Sequence, residues 1–344
     1  MISKNIETSD FIERVEGEFH NIFDVDLEDW LQKSDVLAHA ARHICFGEKA
    51  KRARPRLVYF FGQAVGAPED GLADVAIAVE LMHTASLLHD DVVDEGTLRR
   101  GRPTVNAQWN NNVAVLTGDL ILSLALQQLQ DHPPIIMKEA LQVVSEMTRA
   151  AMLEVQARGS LELACSVWRE IALGKTGVLF AWCGQAAALL ADNMDAHKRF
   201  ARCGRHLGLA FQMADDFKDL RPDHTGKNPF ADIYNCNPSF PILTAVQRSE
   251  SLKKRLADAW LEPALHWEEV RALGQEVLAT GAAEATIAEI DRELTLALES
   301  LGAYREHPGG KEIAFWATLL WQSLGTKNTQ AASPQFSSMI RQAT

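Results

Sequence analysis

Apolar residues recur along this chain at helical spacing. In the segment that runs to "SLLHDDVVDEG", Val75, Val79, Met82 and Ser86 fall on one face, and in "LGLAFQMADDFKDL" Leu207, Phe211 and Ala214 do the same. No proline stands between Pro134 and Arg221 or between Pro263 and His307, whereas "DHPP", "RPDHTGKNPF" and "YNCNPSFP" punctuate the rest. No stretch alternates in the manner of a strand. The pattern predicts an all-α protein of roughly ten or more helices with short connections. It also predicts one domain over residues 1–322 and a polar, breaker-rich tail over 323–344 that stays frayed or disordered.

Composition narrows the class. Of 344 residues, 47% are hydrophobic and 23% charged, an ordinary globular balance, and the formal charge of −12 disfavours a nucleic-acid backbone or an anionic membrane surface as partner. The five cysteines are odd in number, scattered and free of any CxxC, which fits a reducing cytoplasm better than a disulfide framework or a zinc site. The N-terminal residues have no apolar core of a signal peptide. The longest nearly apolar run, "GVLFAWCGQAAALLA", is 15 residues and contains Gln185, so a buried helix is expected and no membrane span.

The chemistry concentrates in two acidic clusters. Asp90, Asp91 and Asp94 carry a DDxxD spacing, and Asp215, Asp216 and Asp219 repeat it. On a helix, positions i and i+4 share a face, so each cluster gathers carboxylates that repel one another unless a cation joins them. Hard oxygen donors without His or Cys select magnesium, which keeps phosphate oxygens as partners. Two such clusters on antiparallel neighbouring helices would hold two or three magnesium ions and, through them, a diphosphate. Taken alone, one DDxxD reads as a solvated acidic face. Two copies embedded in apolar helix do not.

Cations lie nearby in sequence. Arg99 and Arg100 follow the first cluster and can bind phosphate oxygens in bidentate fashion. Lys51, Arg52, Arg54 and Arg56 crowd a helix start near Pro55, Lys175 and Thr176 interrupt an apolar helix, and Lys227 sits in a glycine turn. Several cationic patches beside one acidic centre point to two anionic substrates, one bound through metal and one directly.

In order along the chain, "KRARP", "HTASLLHDDVVDEGTLRRGRPTVN", "VLTGDLIL", "GKTGVLF" and "LGLAFQMADDFKDL" resemble the motifs of the trans-isoprenyl diphosphate synthases, from about Gly47 to Pro241. The resemblance implies an isoprenoid-synthase-type helical bundle around a central cavity, a homodimer, and head-to-tail condensation of an allylic diphosphate with isopentenyl diphosphate. It implies Asp90, Asp94 and Asp215 as direct magnesium ligands, with Asp91, Asp216 and Asp219 ligating or supporting. It assigns Arg99, Lys175, Thr176, Gln212 and Lys227 to the allylic diphosphate, and Lys51, Arg54, His83 and Arg100 to isopentenyl diphosphate.

Two departures stand out: Lys49 and Ala50 replace the two glycines before Lys51, and Asn237 stands where relatives have a lysine. With no His or Glu at general-base spacing in either motif, the proton lost after condensation is expected to go to the departing diphosphate. Residues four, five and eight positions before Asp90, namely Ser86, Ala85 and Met82, lie where a growing tail would run. The first two are small, so a product of twenty or more carbons is expected, with Met82 or residues near Leu122 to Leu126 as the next floor. A fifteen-carbon synthase is the alternative. A class I terpene cyclase, a noncatalytic partner subunit and a di-iron bundle using Glu80 and His83 are further rivals.

Overall fold

The computed structural model describes residues 6–23, 35–46, 52–221, 229–262, 265–325 and 336. Lys51 and Lys227 lie outside the described residues, as do the two substituted positions before Lys51. The described chain is all-α: α1 (Ile6–Asn21), α2 (Asp35–Cys45), α3 (Ala53–Val65), α4 (Glu69–Val93), α5 (Val105–Gln108), α6 (Asn111–Gln127), α7 (Pro134–Ala157), α8 (Cys165–Ala172), α9 (Val178–Leu190), α10 (Met194–Asp219), α11 (Ala231–Tyr234), α12 (Phe240–Arg248), α13 (Glu250–Ala259), α14 (Trp267–Ala279), α15 (Ala282–Leu301) and α16 (Pro308–Gln322).

The chain divides into two compact units. The first comprises 1–144, 182–198 and 307–310, and the second 145–181, 199–306 and 311–344. In the first, α4 packs along α6 and against α3 and α1, burying Phe11, Phe19, Leu57, Phe61, Leu72 and Val79. In the second, α12 to α15 enclose a core that includes Phe230, Ile233, Ile242, Leu256, Leu273 and Val277.

Polar contacts fix α8 within the second unit. Arg169 on α8 donates to Glu289 at 2.7 Å and to Glu293, both on α15, and His206 on α10 pairs with Glu293 through Nδ1 at 2.6 Å. Glu293 is fully buried. Burial pushes its carboxyl up, but the hydrogen bonds from His206 and Arg169 outweigh it and hold the group below the ordinary range.

Two features differ from the sequence expectation. A two-stranded hairpin, β1 (Leu98–Arg99) and β2 (Arg102–Pro103), pairs Arg99 with Arg102 and follows α4 directly. Strands of two residues are too short to show a period. Their turn is nonetheless encoded: Arg100 (φ 53°) and Gly101 (φ 81°) both adopt positive φ, the requirement of a type I′ turn. The apolar run around Trp182 belongs to a longer helical stretch, Cys165–Leu190, in which residues Leu173–Gly177 form one wide π turn. This stretch and α4 are long and apolar enough to cross a membrane, yet 72% of each apolar window is buried within the protein, as in a core helix. In the tail, Phe336 is buried, edge-on to Trp321 at 5.8 Å. Residues 326–335 and 337–344 lie outside the described residues.

Candidate functional site

In the first unit, Asp90 and Asp91 occupy the last turn of α4, and Asp94 is the residue just past its end, its N–H bonded to Asp90 O at 2.8 Å. The carboxylates have different settings. Asp91 is buried and receives Arg99 in a fork, Nε to Oδ2 at 2.9 Å and Nη2 to Oδ1 at 2.7 Å. Asn106 then donates to Asp91 O and Gly96 O, which anchors the hairpin to the end of α4. Asp90 is half-buried and Asp94 exposed. Arg99 is thus committed to the motif's middle carboxylate, and Arg100 is raised on the turn.

A pocket of about 590 Å³ opens beside this hairpin, lined by Arg52, Glu80, His83, Arg99, Arg100 and Arg102 among others. Arg52 holds a left-handed conformation (φ 46°), donates to Glu80 Oε1 at 2.8 Å, and lies over the Phe19 ring at 4.8 Å. That pairing takes Glu80 out of any di-iron arrangement and leads the chain into α3, which carries Arg54. Burial, then Arg54, Arg100, Arg99 and Arg52, push the His83 imidazole well below its usual range, so it is neutral at pH 7. Arg52 and Arg102 have no periodic signature in the sequence. The basic run "KRARP" pointed to the first only as part of a cluster.

In the second unit, Asp215, Asp216 and Asp219 lie on the last turns of α10. Asp215 is exposed, with Lys218 Nζ at 3.6 Å. Asp216 is buried and accepts from Gln212 Nε2 and from Phe240 N, each at 3.1 Å. Burial pushes its carboxyl up to about 7. Asp219 accepts from the backbone N–H of Ala231 and of Asp232, each at 3.0 Å, and so caps the start of α11. In both motifs the middle carboxylate is held by protein donors, and in the second so is the last.

The π turn presents Lys175 and Thr176. Thr176 Oγ1 donates to Gln212 Oε1 at 3.0 Å, which continues through Gln212 to Asp216, and Lys175 pairs with Glu154 of α7. The turn sits against α10 where Gly208 meets Gly177 backbone to backbone. A Cβ on Gly208 would lie 2.5 Å from Gly177 Cα. Lys175, Gln212, Asp216, Glu154 and Asn237 form the polar side of a second pocket of about 500 Å³, and Trp168, Leu163 and Ile171 its apolar side. Asn237 Nδ2 donates to Asp232 Oδ1 at 2.9 Å, so it is a neutral donor tied to an acidic neighbour.

Among the described residues, no three His, Cys, Asp or Glu side chains are gathered into a metal site by themselves. Magnesium fits that donor set, because it keeps several waters and takes one or two carboxylates together with substrate phosphate oxygens. Ala85 and Met82 are buried, Ser86 is half-buried with its hydroxyl donating to His83 O at 2.8 Å, and Leu122 and Leu126 on α6 are half-buried.

Residues 34–277 match the model of the polyprenyl synthetase family. An all-trans-nonaprenyl-diphosphate synthase (geranyl-diphosphate specific) of Rhodobacter capsulatus is 36% identical over 60% of this chain and 65% of its own length. A (2E,6E)-farnesyl diphosphate synthase of Mycobacterium tuberculosis is 37% identical over 61% and 60%. The matched part thus spans less than two thirds of either relative. A solved polyprenyl synthase of Caulobacter crescentus, complexed with calcium and isoprenyl diphosphate, superimposes with a TM-score of 0.79 at 26% identity, covering 91% of this chain and 97% of that one.

Proposed function

Because the chain belongs to the polyprenyl synthetase family, we propose that it condenses isopentenyl diphosphate head-to-tail with an allylic diphosphate to give a trans-polyprenyl diphosphate of twenty or more carbons. The observation that carries this reading is the pair of pockets with different chemistry. One is rich in arginine, around a neutral His83, and suits a diphosphate bound without metal. The other sets a single lysine among carboxylates and amides and suits a diphosphate bound together with metal.

Arg54, His83 and Arg100, with Lys51, hold isopentenyl diphosphate in this reading, and Lys175, Thr176, Gln212 and Lys227 hold the allylic diphosphate. Arg99 acts through Asp91, fixing its orientation. Asp90, Asp94 and Asp215 bind magnesium, with Asp91, Asp216 and Asp219 in support. When bound, magnesium supplies charge neutralisation as the allylic C–O bond breaks. The chain's own residues bind and orient the two substrates and exclude water from the developing carbocation. No protein nucleophile is needed, and the departing diphosphate accepts the proton.

The relatives include both nonaprenyl and farnesyl synthases at nearly equal identity. The longer product is favoured here by the absence of an aromatic ring at positions 85 and 86. A homodimer is favoured by the apolar side chains that α6 and α7 expose, Leu116 and Met152 above all. A cytoplasmic location fits five thiols, none in a disulfide. Incubation with magnesium, labelled isopentenyl diphosphate and a series of allylic primers, followed by product chromatography, tests the reaction and its length together. Absence of any extended product with every primer overturns the reading.

A further inference from the structure

The arginine hairpin is attached to the first unit at a second point, away from Asp91. At the end of α2, the His43 ring makes two hydrogen bonds to it: Nε2 to Pro103 O at 2.8 Å and Nδ1 to Arg102 Nη2 at 2.9 Å. A carbonyl can only accept and a guanidinium can only donate, so the contacts fix the protonation of the ring. Nε2 carries the hydrogen and Nδ1 is the acceptor. Arg102 Nη1 also donates to His43 O at 3.2 Å, and Trp109 packs edge-on against the ring at 5.5 Å. The contact from Arg102 Nη2 therefore needs the ring nitrogen Nδ1 as an acceptor. A proton on Nδ1 would set one donor against another.

We propose that His43 is a positioning residue: its ring clasps the hairpin to α2 and so holds Arg100 over the cationic pocket.

The test uses the full chain and two variants. Glutamine has an amide donor and a carbonyl acceptor, so His43→Gln keeps the clasp. His43→Phe keeps the packing on Trp109 and loses both hydrogen bonds. Hydrogen exchange at the Thr104 amide, which donates across the hairpin to Thr97 O at 3.1 Å, reports closure without any substrate. At pH 8, exchange at this amide should be about tenfold faster in His43→Phe than in wild type, as expected for two lost hydrogen bonds, and His43→Gln should restore most of the protection.

The functional arm rests on the reading proposed above. The KM for isopentenyl diphosphate should rise about tenfold in His43→Phe at pH 8, with kcat nearly unchanged, and His43→Gln should restore most of it. Full protection of Thr104 in His43→Phe overturns the clasp, as does exchange in His43→Gln as fast as in His43→Phe. Exchange that follows the proposal in a protein that forms no product with any primer supports the clasp and refutes the proposed reaction instead.

Discussion

Gly208→Ala should be costly, although alanine is the better helix former. In the middle of α10 the exchange is worth about 1 kcal/mol in favour of alanine from propensity alone. Here, however, the new Cβ would meet Gly177 Cα at 2.5 Å, Gly177 N at 3.0 Å and Thr176 C at 3.3 Å, all backbone atoms. Carbon atoms rest about 3.5 to 4.0 Å apart, so α10 and the π turn must separate by about 1 Å.

Overpacking of this kind costs about 1–3 kcal/mol where a side chain can adjust. With backbone on the far side, the upper end applies, and about 2 kcal/mol remains after the propensity gain. At about 2–4 °C per kcal/mol for a body of this size, the melting temperature should fall by about 4–8 °C. The same retreat stretches the Thr176 to Gln212 hydrogen bond, now 3.0 Å. Losing its net contribution of about 1 kcal/mol should raise the KM for the allylic primer about fivefold. Gly17→Ala is the control. It sits on the exposed face of α1 with nothing within 4 Å of its new methyl, and should raise the melting temperature instead. Thermal unfolding of both variants with primer kinetics decides the matter. Equal stability for Gly208→Ala and wild type, or a loss in both variants, refutes the reasoning.

Three further outcomes are expected. Arg54→Ala should raise the KM for isopentenyl diphosphate more than that for the allylic primer, and Lys175→Ala the reverse; equal losses in both would show that the pockets are wrongly assigned. Because burial and four arginines lower the proton affinity of His83, an arriving diphosphate should raise that affinity, so binding by wild type should release fewer protons than binding by His83→Gln. Calorimetry with inorganic diphosphate in buffers of different ionisation enthalpy measures the difference, and equal proton release by the two proteins would refute it. Ser86→Phe should shorten the product toward fifteen carbons, since Ser86 is half-buried beside the buried Ala85; unchanged product length would place the floor elsewhere.

Much of the fold was legible because helical periodicity is strong over long segments. Val75, Val79 and Met82 on α4 and Leu207 and Ala214 on α10 are buried as their spacing requires. The paired DDxxD motifs were legible as chemistry, but not the unequal settings of their carboxylates. Asp91 and Asp216 are engaged by Arg99, Gln212 and the N–H of Phe240, partners between 4 and 24 residues away. Gln212 and Asp216 are an i,i+4 pair on one helix, but the other two pairings depend on how loops return to helices, which no local pattern encodes. The hairpin was missed because two residues cannot establish a period. The clasp by His43 escaped because its partners lie 59 and 60 residues on, in that same hairpin.

The wide turn at Leu173–Gly177 also makes residue number there as critical as residue type. A π turn accommodates one more residue than a regular turn, so it shifts the phase between the helix before it and the helix after it. Deleting one residue within it would remove that extra residue and leave a regular α-helix in which the side chains from Val178 onward keep their faces, the fully buried Phe180 and Trp182 among them. What the deletion would take away is the wide turn itself, which sets Lys175 beside Glu154 and Thr176 beside Gln212. It would therefore damage the pocket while sparing the core. A deletion inside α9 has no such slack, because it would rotate the side chains that follow it by about 100°.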